Sequence, residues 1–341
     1  RSLLIQRPNR YRLHERKYYA LADLPAVNSR AFRKFVLQDI DFLFFNKIPP
    51  PVFAILCVSS RCPYSCNYCY NIDQHTAKER CSEDLLEQAI QQLIKAGVFS
   101  IYLSGGEPVM RYDFVLKVIN KYSKQVVFWL VTTGWGLDQA RLQELKNAGL
   151  KGLMVSFDSF EEKEVVKIKG HSESWKKSVE AVKNARKMGL LVSLDTVFSK
   201  EKLNQSVFDD FLNFAENIGA DFINCYTPKD VKGNLPKEVL FDLGDYKMLE
   251  QLVNRAQIQH KYNHKPIPYS PDAWESKRGC MGGKLFIYID PDGSVHHCPF
   301  STHTYGNIKT EEMESILNRV RNNRSNQICG TLSVLRPDLI S

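Results

Sequence analysis

Apolar runs of strand length alternate with segments of helical spacing from residue 52 onward. Such alternation is typical of a parallel β-sheet built from strand–helix units. One intervening segment begins at Ser82, a residue type that caps helices, and ends at Gly97; another runs from Trp175 to Gly189. The pattern predicts six strands, at 52–58, 100–103, 126–131, 152–156, 190–197 and 221–226.

A basic and aromatic extension precedes this pattern and ends at three prolines, residues 49–51. Its apolar residues recur at helical spacing after Ser29, which predicts an amphipathic helix. We interpret it as a helix packed on the sheet; the alternative is a dock for substrate or a membrane surface, since basic residues beside an apolar face suit interfacial binding. The apolar positions are Phe32, Phe35, Val36, Ile40, Leu43 and Phe44.

The last part of the chain has a different pattern. Pro291-Asp-Gly-Ser separates two β-rich runs and predicts a hairpin. That hairpin would bring Cys280 and Cys298 to the same end of a two-stranded ribbon, and a helical segment at 310–320 and then Cys329 follow. We therefore expect three regions: an extension at 1–50, a core at 51–255 and a small hairpin and helix domain at 256–341.

Composition is that of an ordinary globular protein, with 341 residues of which 43% are hydrophobic. The net charge of +8 is small for a nucleic-acid binder, so no nucleic acid is expected, although an acidic ligand or a membrane surface remains open. The nine cysteines are odd in number, which favours metal ligation in a reducing cytoplasm over disulfides. We find no apolar run long enough for a membrane span and no signal-peptide core, and expect a cytoplasmic protein.

Three of the cysteines, Cys62, Cys66 and Cys69, lie in one short loop after the first predicted strand. Three thiolates from one loop can hold three corners of a cubane iron–sulfur cluster and leave the fourth iron open for a ligand. Zinc sites and two-cluster ferredoxins also use close cysteines, but they take a fourth ligand nearby. His75 and Cys81 are poorly placed for that position, and Cys57 and Cys81 are interpreted as structural residues.

A second motif, Ser104-Gly105-Gly106-Glu107-Pro108, follows the second predicted strand. Two glycines at a strand end let the backbone approach a ligand closely, and a neighbouring carboxylate can hold an ammonium group. A Gly-Gly turn alone is often only a strand end. The combination with the cysteine loop is specific.

With these two motifs the chain resembles the radical S-adenosylmethionine (radical SAM) enzymes, which carry Cys-x3-Cys-x2-Cys after a first strand and Gly-Gly-Glu-Pro after the second. The resemblance implies an α/β fold with a partial (β/α)6 TIM-like barrel, whose strand count matches. It also implies a [4Fe–4S] cluster that binds SAM, reductive cleavage to a 5′-deoxyadenosyl radical, and a flavodoxin- or ferredoxin-type electron donor. Gly105, Gly106 and Glu107 would then hold the methionine amine of SAM.

The resemblance extends to further positions around SAM. Tyr68 stands where the family places an aromatic residue near adenine, with packing as the alternative. Ser156 and Asp158 end the fourth strand, and Ser193 and Asp195 point to one face of the fifth, so that they could bind the methionine carboxylate or the ribose hydroxyls. A salt-bridged or hydrated Asp195 is the alternative.

Cys225, near the end of the sixth strand, is a candidate hydrogen-atom donor if it faces the barrel lumen, as in epimerases of the family. A buried cysteine is otherwise a small apolar residue. Thr132-Thr133-Gly134 stands where the family often shows Asn-Gly, so the turn is kept and its amide is not.

The C-terminal pattern resembles the twitch version of the SPASM auxiliary-cluster domain, which implies a second [4Fe–4S] cluster on Cys280, Cys298 and Cys329. Where the family shows a Cys-x2-Cys pair, this chain has Cys329 followed by Leu332. The fourth position is then open or filled by another residue, with His296, His297 and His303 as candidates. A zinc site or no metal is the alternative.

Relatives with auxiliary clusters modify ribosomally made peptides by crosslinking, epimerisation or thioether formation, which is the function we expect first. Dehydrogenation or rearrangement of a sugar, nucleotide or lipid precursor is the alternative. A non-catalytic iron–sulfur sensor or electron carrier is the third, and Glu107 with the barrel argues against it because an electron carrier needs no SAM site.

Overall fold

The computed structural model describes residues 11–22, 24–29, 32–33, 35–37, 49–66, 68–230, 235–259 and 265–322. Their strands form a two-stranded hairpin and one sheet of ten strands. The strands are β1 (Arg12–His14), β2 (Lys17–Tyr19), β3 (Phe53–Ser59), β4 (Ser100–Gly105), β5 (Val127–Thr132), β6 (Gly152–Ser156), β7 (Leu191–Val197), β8 (Phe222–Tyr226), β9 (Ile267–Tyr269), β10 (Phe286–Ile289), β11 (Ser294–His296) and β12 (Gly306–Asn307). The helices are α1 (Glu83–Lys95), α2 (Tyr112–Tyr122), α3 (Gln139–Ala148), α4 (Glu162–Lys169), α5 (Ser174–Lys187), α6 (Gln205–Ile218), α7 (Leu243–Gln259), α8 (Pro271–Arg278) and α9 (Met313–Asn322).

The six predicted strands are confirmed as β3 to β8, which lie side by side in chain order and pair in parallel. Helices join successive strands, as the alternating pattern predicts. The fold is therefore α/β with a curled parallel sheet, consistent with the expected partial barrel. Its carboxyl ends, where ligands bind in such folds, carry the cysteine loop and the Gly-Gly turn.

The sheet continues at both edges beyond the predicted strands. At one edge β9 pairs in parallel with β8. This strand is short and contains Pro268, a residue that cannot donate to a ladder and is therefore confined to edge strands. At the other edge β10 pairs in parallel with β3, and β11 and β12 follow antiparallel.

The predicted C-terminal hairpin is thus β10–β11, with Tyr288 opposite His296, and it extends the same sheet as the barrel strands. The expected boundary at 255/256 falls within α7. The division of the chain into domains stays a prediction.

Two apolar clusters pack on the two faces of the sheet. Residues such as Leu56, Leu103 and Leu130 are fully buried against the helices. Aromatic residues dominate the inner face, where the rings of Phe53 and Tyr102 stack at a centroid distance of 4.5 Å. The inner cluster therefore fills the barrel near the amino ends of its strands with side chains.

The N-terminal segment completes the inner cluster, to which it contributes Tyr19, Ala22, Ala26 and Phe35. Residues just before strands hold the segment in place. The Arg12 guanidinium lies 3.2 Å from the carboxylate of Asp221, which precedes β8, and Lys151, which precedes β6, lies 3.1 Å from Glu15. The segment therefore covers the amino ends of the strands, opposite the cysteine loop.

This packing agrees with the first interpretation of the N-terminal extension, that of a segment packed on the sheet. A contact with a membrane surface stays a prediction. The Ser29 hydroxyl accepts a hydrogen bond from the backbone N–H of Phe32 at 3.1 Å, as expected of a helix cap. Ile40, Leu43 and Phe44 lie outside the described residues. In the described part of the chain, no helix is long and apolar enough to cross a bilayer.

Candidate active site

The cysteine loop begins directly after β3, and its three thiols are partly exposed. Burial, and to a smaller extent the charges of neighbouring thiols such as Cys69, raise the pKa of Cys62 to about 12 and that of Cys66 to about 11. The three thiols therefore lie within electrostatic range of one another. Iron would favour their thiolate forms because a bound cation offsets this repulsion. Within the described residues the three thiols are not gathered into a group that could hold a metal ion as it stands, so it is the kind and number of donors that fit an iron–sulfur cluster with three protein thiolates.

The Gly-Gly turn after β4 lies directly against the start of this loop. The backbone N–H of Gly106 donates to the carbonyl of Ser59 at 2.8 Å, and that of Glu107 donates to the carbonyl of Arg61 at 2.7 Å. A Cβ on Gly105 would lie 2.3 Å from the Ser59 carbonyl oxygen, and one on Gly106 would lie 2.3 Å from that of Arg61. Both glycines are needed for this approach, and their contact with the methionine amine of SAM stays a prediction.

Glu107 is fully buried and binds the end of the neighbouring strand. Its Oε1 accepts from the Thr132 hydroxyl at 2.7 Å, and its Oε2 accepts from the Thr133 N–H at 2.8 Å and hydroxyl at 2.6 Å. Burial raises the pKa of Glu107, and these hydrogen bonds act against that shift. The carboxylate therefore fixes the turn after β4 to the turn after β5, and its contact with the amine stays a prediction.

Sequence reasoning missed the threonine pair as the hydrogen-bond partner of Glu107. Thr132-Thr133 stands where the family often shows an amide side chain. Two hydroxyls directly after a strand, beside a buried carboxylate, were the signal available.

Two of the predicted SAM contacts bind each other. The Tyr68 hydroxyl donates to Oδ2 of Asp158, while Oδ1 of Asp158 accepts from the backbone N–H of Val197 at 3.1 Å. Asp158 is buried, whereas Tyr68 is 41% exposed and lies in the cysteine loop. The structure therefore joins the cysteine loop to the carboxyl ends of β6 and β7.

Ser156, Ser193 and Asp195 lie on the inner face of the sheet, because Leu194 between them packs on the helical side. Oδ1 of Asp195 accepts from the Ser193 hydroxyl at 3.3 Å and from the side-chain amide of Asn224 at 2.9 Å. Sequence reasoning missed Asn224, although it alternates with apolar residues of β8 in the same way. Binding of SAM by the predicted residues stays a prediction.

Cys225 is fully buried, and its side chain packs among the apolar residues between the sheet and the helices. Its neighbour Asn224 occupies the opposite face and binds Asp195. Burial raises the pKa of this thiol. The hydrogen-donor role expected of a lumenal thiol is not supported by this placement, which is that of a small apolar residue.

Lys169, at the end of α4, was not predicted and is fully buried beside the cysteine loop. Its ammonium donates to the Ser156 carbonyl at 2.7 Å and to the Ser178 hydroxyl at 3.3 Å. Burial lowers the pKa of Lys169, whereas the neighbouring Asp158 and Cys66 raise it. A positive charge here favours thiolates in the loop, because opposite charges stabilise each other in a low dielectric.

Cys280 and Cys298 come together beyond the hairpin, as the turn predicts. The N–H of Gly282 donates to Sγ of Cys280 at 3.3 Å, and a Cβ on Gly282 would lie 3.2 Å from that of Cys298. Burial raises the pKa of Tyr305, and both thiols add to that shift. The two thiols fit part of a second cluster site, while Cys329 lies outside the described residues.

His296 is a poor candidate for the open position of that site. Its Nδ1 lies 2.8 Å from the carbonyl oxygen of His303, and its Nε2 lies 3.3 Å from the Asp290 carboxylate. Both ring nitrogens are therefore engaged away from the thiols. Gln74, a few residues after the first cysteine loop, donates to the same carboxylate of Asp290 at 3.3 Å, so that the hairpin is attached to that loop.

Comparison with solved structures finds the same fold. Streptococcus suis SuiB bound to its precursor peptide SuiA superposes with a TM-score of 0.67 at 15% identity, over 93% of this chain and 79% of that one. The anSMEcpe structure with bound AdoMet gives a TM-score of 0.60 at 17% identity, over 80% of this chain and 82% of that one. At these identities the likeness concerns the fold.

Sequence comparison finds relatives named PqqA peptide cyclase. The protein from Bradyrhizobium diazoefficiens is 27% identical over 78% of this chain and 70% of its own length. The one from Rhizobium meliloti is 26% identical over 79% of this chain and 74% of its own length.

The sequence profile of the Radical SAM superfamily matches residues 56–215, the part that holds the first cysteine loop and the strands β4 to β7. The SPASM profile, an iron–sulfur cluster-binding domain, matches residues 280–331, which include Cys280, Cys298 and Cys329. The cofactors of these two domains are a [4Fe–4S] cluster with SAM and an auxiliary iron–sulfur cluster. The chain is an enzyme of the radical SAM superfamily, with a SPASM-like cluster domain at its C-terminal end.

Proposed function

We propose that this enzyme modifies a ribosomally made peptide, by crosslinking, epimerisation or thioether formation. The relatives are named for cyclisation of the PqqA peptide. Among proteins with the same fold, SuiB was solved with its precursor peptide and anSMEcpe with a bound peptide. A SPASM-like domain accompanies the barrel here as well.

The observation that carries the radical chemistry in this proposal is the close approach of the Gly105-Gly106 turn to the cysteine loop at the carboxyl ends of the strands. In our proposal Cys62, Cys66 and Cys69 hold the catalytic cluster, which together with SAM supplies the radical that abstracts a substrate hydrogen atom. The other residues assigned to the site orient SAM and exclude water from it, the two glycines through their backbone. These are Tyr68, Gly105, Gly106, Glu107, Ser156, Asp158, Ser193 and Asp195.

The remaining partners follow from the same chemistry. Cys280, Cys298 and Cys329 hold the auxiliary cluster in our proposal. Reduction of the catalytic cluster requires an external one-electron donor, for which we propose a flavodoxin- or ferredoxin-type protein.

The test uses anaerobically reconstituted enzyme with dithionite, SAM and any short peptide that is found to be encoded beside its gene. We expect 5′-deoxyadenosine and a change in the mass of the peptide. An unchanged peptide together with turnover of a sugar, nucleotide or lipid precursor would replace the peptide by a small molecule. A fully iron-loaded enzyme that forms no 5′-deoxyadenosine would point to a sensor or electron carrier.

Iron content tests the auxiliary site separately. Two cubane clusters correspond to about eight iron atoms per chain and one to about four. If Cys329 is a ligand, we expect Cys329→Ala to lower the iron count, because the second cluster loses a thiolate. Leu332→Ala is the matched control from the same segment and should keep the count of the parent enzyme. An unchanged count in Cys329→Ala would remove this cysteine from the ligand set.

A further inference from the structure

A group of charged side chains lies where β8 and β9 end, outside the set of residues assigned above. Thr227 directly follows β8, Lys229 lies two residues further, and α8, which follows β9, carries Asp272 and Glu275. The carboxyl ends of these strands lie on the same side of the sheet as the cysteine loop. Ligands of such barrels bind at this side.

Both carboxylate oxygens of Asp272 have partners within this group. Its Oδ2 accepts from the backbone N–H of Thr227 at 2.6 Å and from the Thr227 hydroxyl at 2.9 Å. Its Oδ1 lies 3.0 Å from the ammonium of Lys229, and both side chains of this pair are buried. The pair therefore fixes α8 to the end of β8.

Glu275, one turn further along α8, is engaged on one side only. Its Oε1 accepts from the backbone N–H of Met281 at 2.9 Å, which fixes the orientation of the carboxyl group. No hydrogen bond to its Oε2 is found among the residues that the structure describes, this oxygen is not one of the fully buried unpaired atoms, and the residue as a whole is half-buried. One oxygen of an oriented carboxyl group is therefore available to a ligand at the barrel end.

The surroundings of this carboxyl group bring its pKa close to neutral pH. Burial, and next the charge of Asp272, raise the pKa of Glu275 to about 7, while Lys229, the Met281 N–H and Lys284 act in the opposite direction. A group whose pKa lies near the working pH is the most effective general acid or base.

We propose that Glu275 is a catalytic residue that takes a proton from the substrate, an inference that rests on the proposed peptide modification. In this step the bond between a substrate N, O or S atom and its hydrogen breaks, and the proton moves to Oε2 of Glu275. The electron pair stays on the heteroatom, which becomes the nucleophile. The carboxylate becomes a neutral carboxylic acid, and the total charge is unchanged.

The first test compares Glu275→Gln with the parent enzyme by the ratio of modified peptide to 5′-deoxyadenosine. We expect the ratio to fall about 100-fold, because a general base typically contributes a rate factor of at least about this size. Product formation by the parent enzyme should rise with pH through about 7, because the base must be ionised, and the variant should lose this rise. Glu238→Gln, at an exposed glutamate, is the matched control and should keep both the ratio and the pH profile.

The second test is an infrared pH titration of the cluster-loaded enzyme, which needs no substrate. We expect a carboxylic-acid carbonyl band that disappears as the pH rises through about 7, and its absence in Glu275→Gln. A parent enzyme that modifies peptide while the variant keeps ratio, profile and band would overturn the role of Glu275 alone. A parent enzyme that leaves the peptide unmodified would instead overturn the proposed function.

Discussion

Cys66→Ala is expected to abolish the formation of 5′-deoxyadenosine from SAM. Cys66 is the middle cysteine of the cysteine loop, and its charge interacts with those of Cys69 and Lys169. Without it the loop offers two thiolates to a cluster that takes three, so that no stable [4Fe–4S] cluster remains to reduce SAM. The measurement is 5′-deoxyadenosine by chromatography, together with iron per chain after reconstitution.

Cys225→Ala is the matched control for this prediction. It removes one cysteine that is buried among apolar residues, so it should reduce stability and leave both the iron content and 5′-deoxyadenosine formation at the level of the parent enzyme. If Cys66→Ala retained full iron and full SAM cleavage, the assignment of the loop to the catalytic cluster would be wrong.

Gly106→Ala is expected to have the second-largest effect, a loss of cluster binding without loss of any ligand. The added Cβ would lie 2.3 Å from the carbonyl oxygen of Arg61 and 3.0 Å from the Cβ of Cys62. Backbone on one side and a cysteine on the other leave no flexible group to yield, so the cysteine loop must move away from β4. Overpacking of this kind typically costs about 1–3 kcal/mol or more of folding free energy.

The measurements for Gly106→Ala are iron per chain and the midpoint of thermal unfolding, and we expect both to fall. Gly244→Ala, within α7, is the matched control, because its Cβ would meet only the side chain of Asp242 at 3.1 Å. Alanine is favoured over glycine in helices by about 1 kcal/mol, so this variant should be no less stable than the parent. Equal iron content in the two variants would contradict the close packing of turn and loop.

The six barrel strands could be predicted because each is a mostly apolar segment of strand length that a parallel sheet buries on both faces. The seventh parallel strand, β9, could not, since Ile267-Pro268-Tyr269 is too short and contains a proline. Pairing of β10 with β3 was also missed. It joins residues far apart in the chain, and nothing in the local pattern of either strand specifies such a partner.

The residues of the candidate site were likewise predictable only in part. Close spacing along the chain brought Cys62, Cys66 and Cys69 together in the prediction, and the turn at Pro291 did so for Cys280 and Cys298. Lys169 was missed because a lysine in a helix with many charged residues looks like a solvent-exposed residue.

Faces of strands were predictable only in part. Alternation placed Asp195 on the same face as Ser193, but not its bond to Asn224 of the next strand. The sequence did not decide which face of the sheet Cys225 occupies, because a cysteine near the end of a strand can face either the barrel lumen or the helices. Its packing among the helix-facing residues decided the question.

The parallel pairing of β3 with β10 has a consequence for synthesis of the chain on the ribosome. One edge of β3 can bond with β4 soon after both have emerged, but its other edge receives its partner only when Phe286–Ile289 have been translated. Until then the nascent protein presents an apolar strand with unpaired backbone groups, a template for wrong association. The final hairpin therefore closes the barrel edge, and a chain released before it would expose the strand that leads into the cysteine loop.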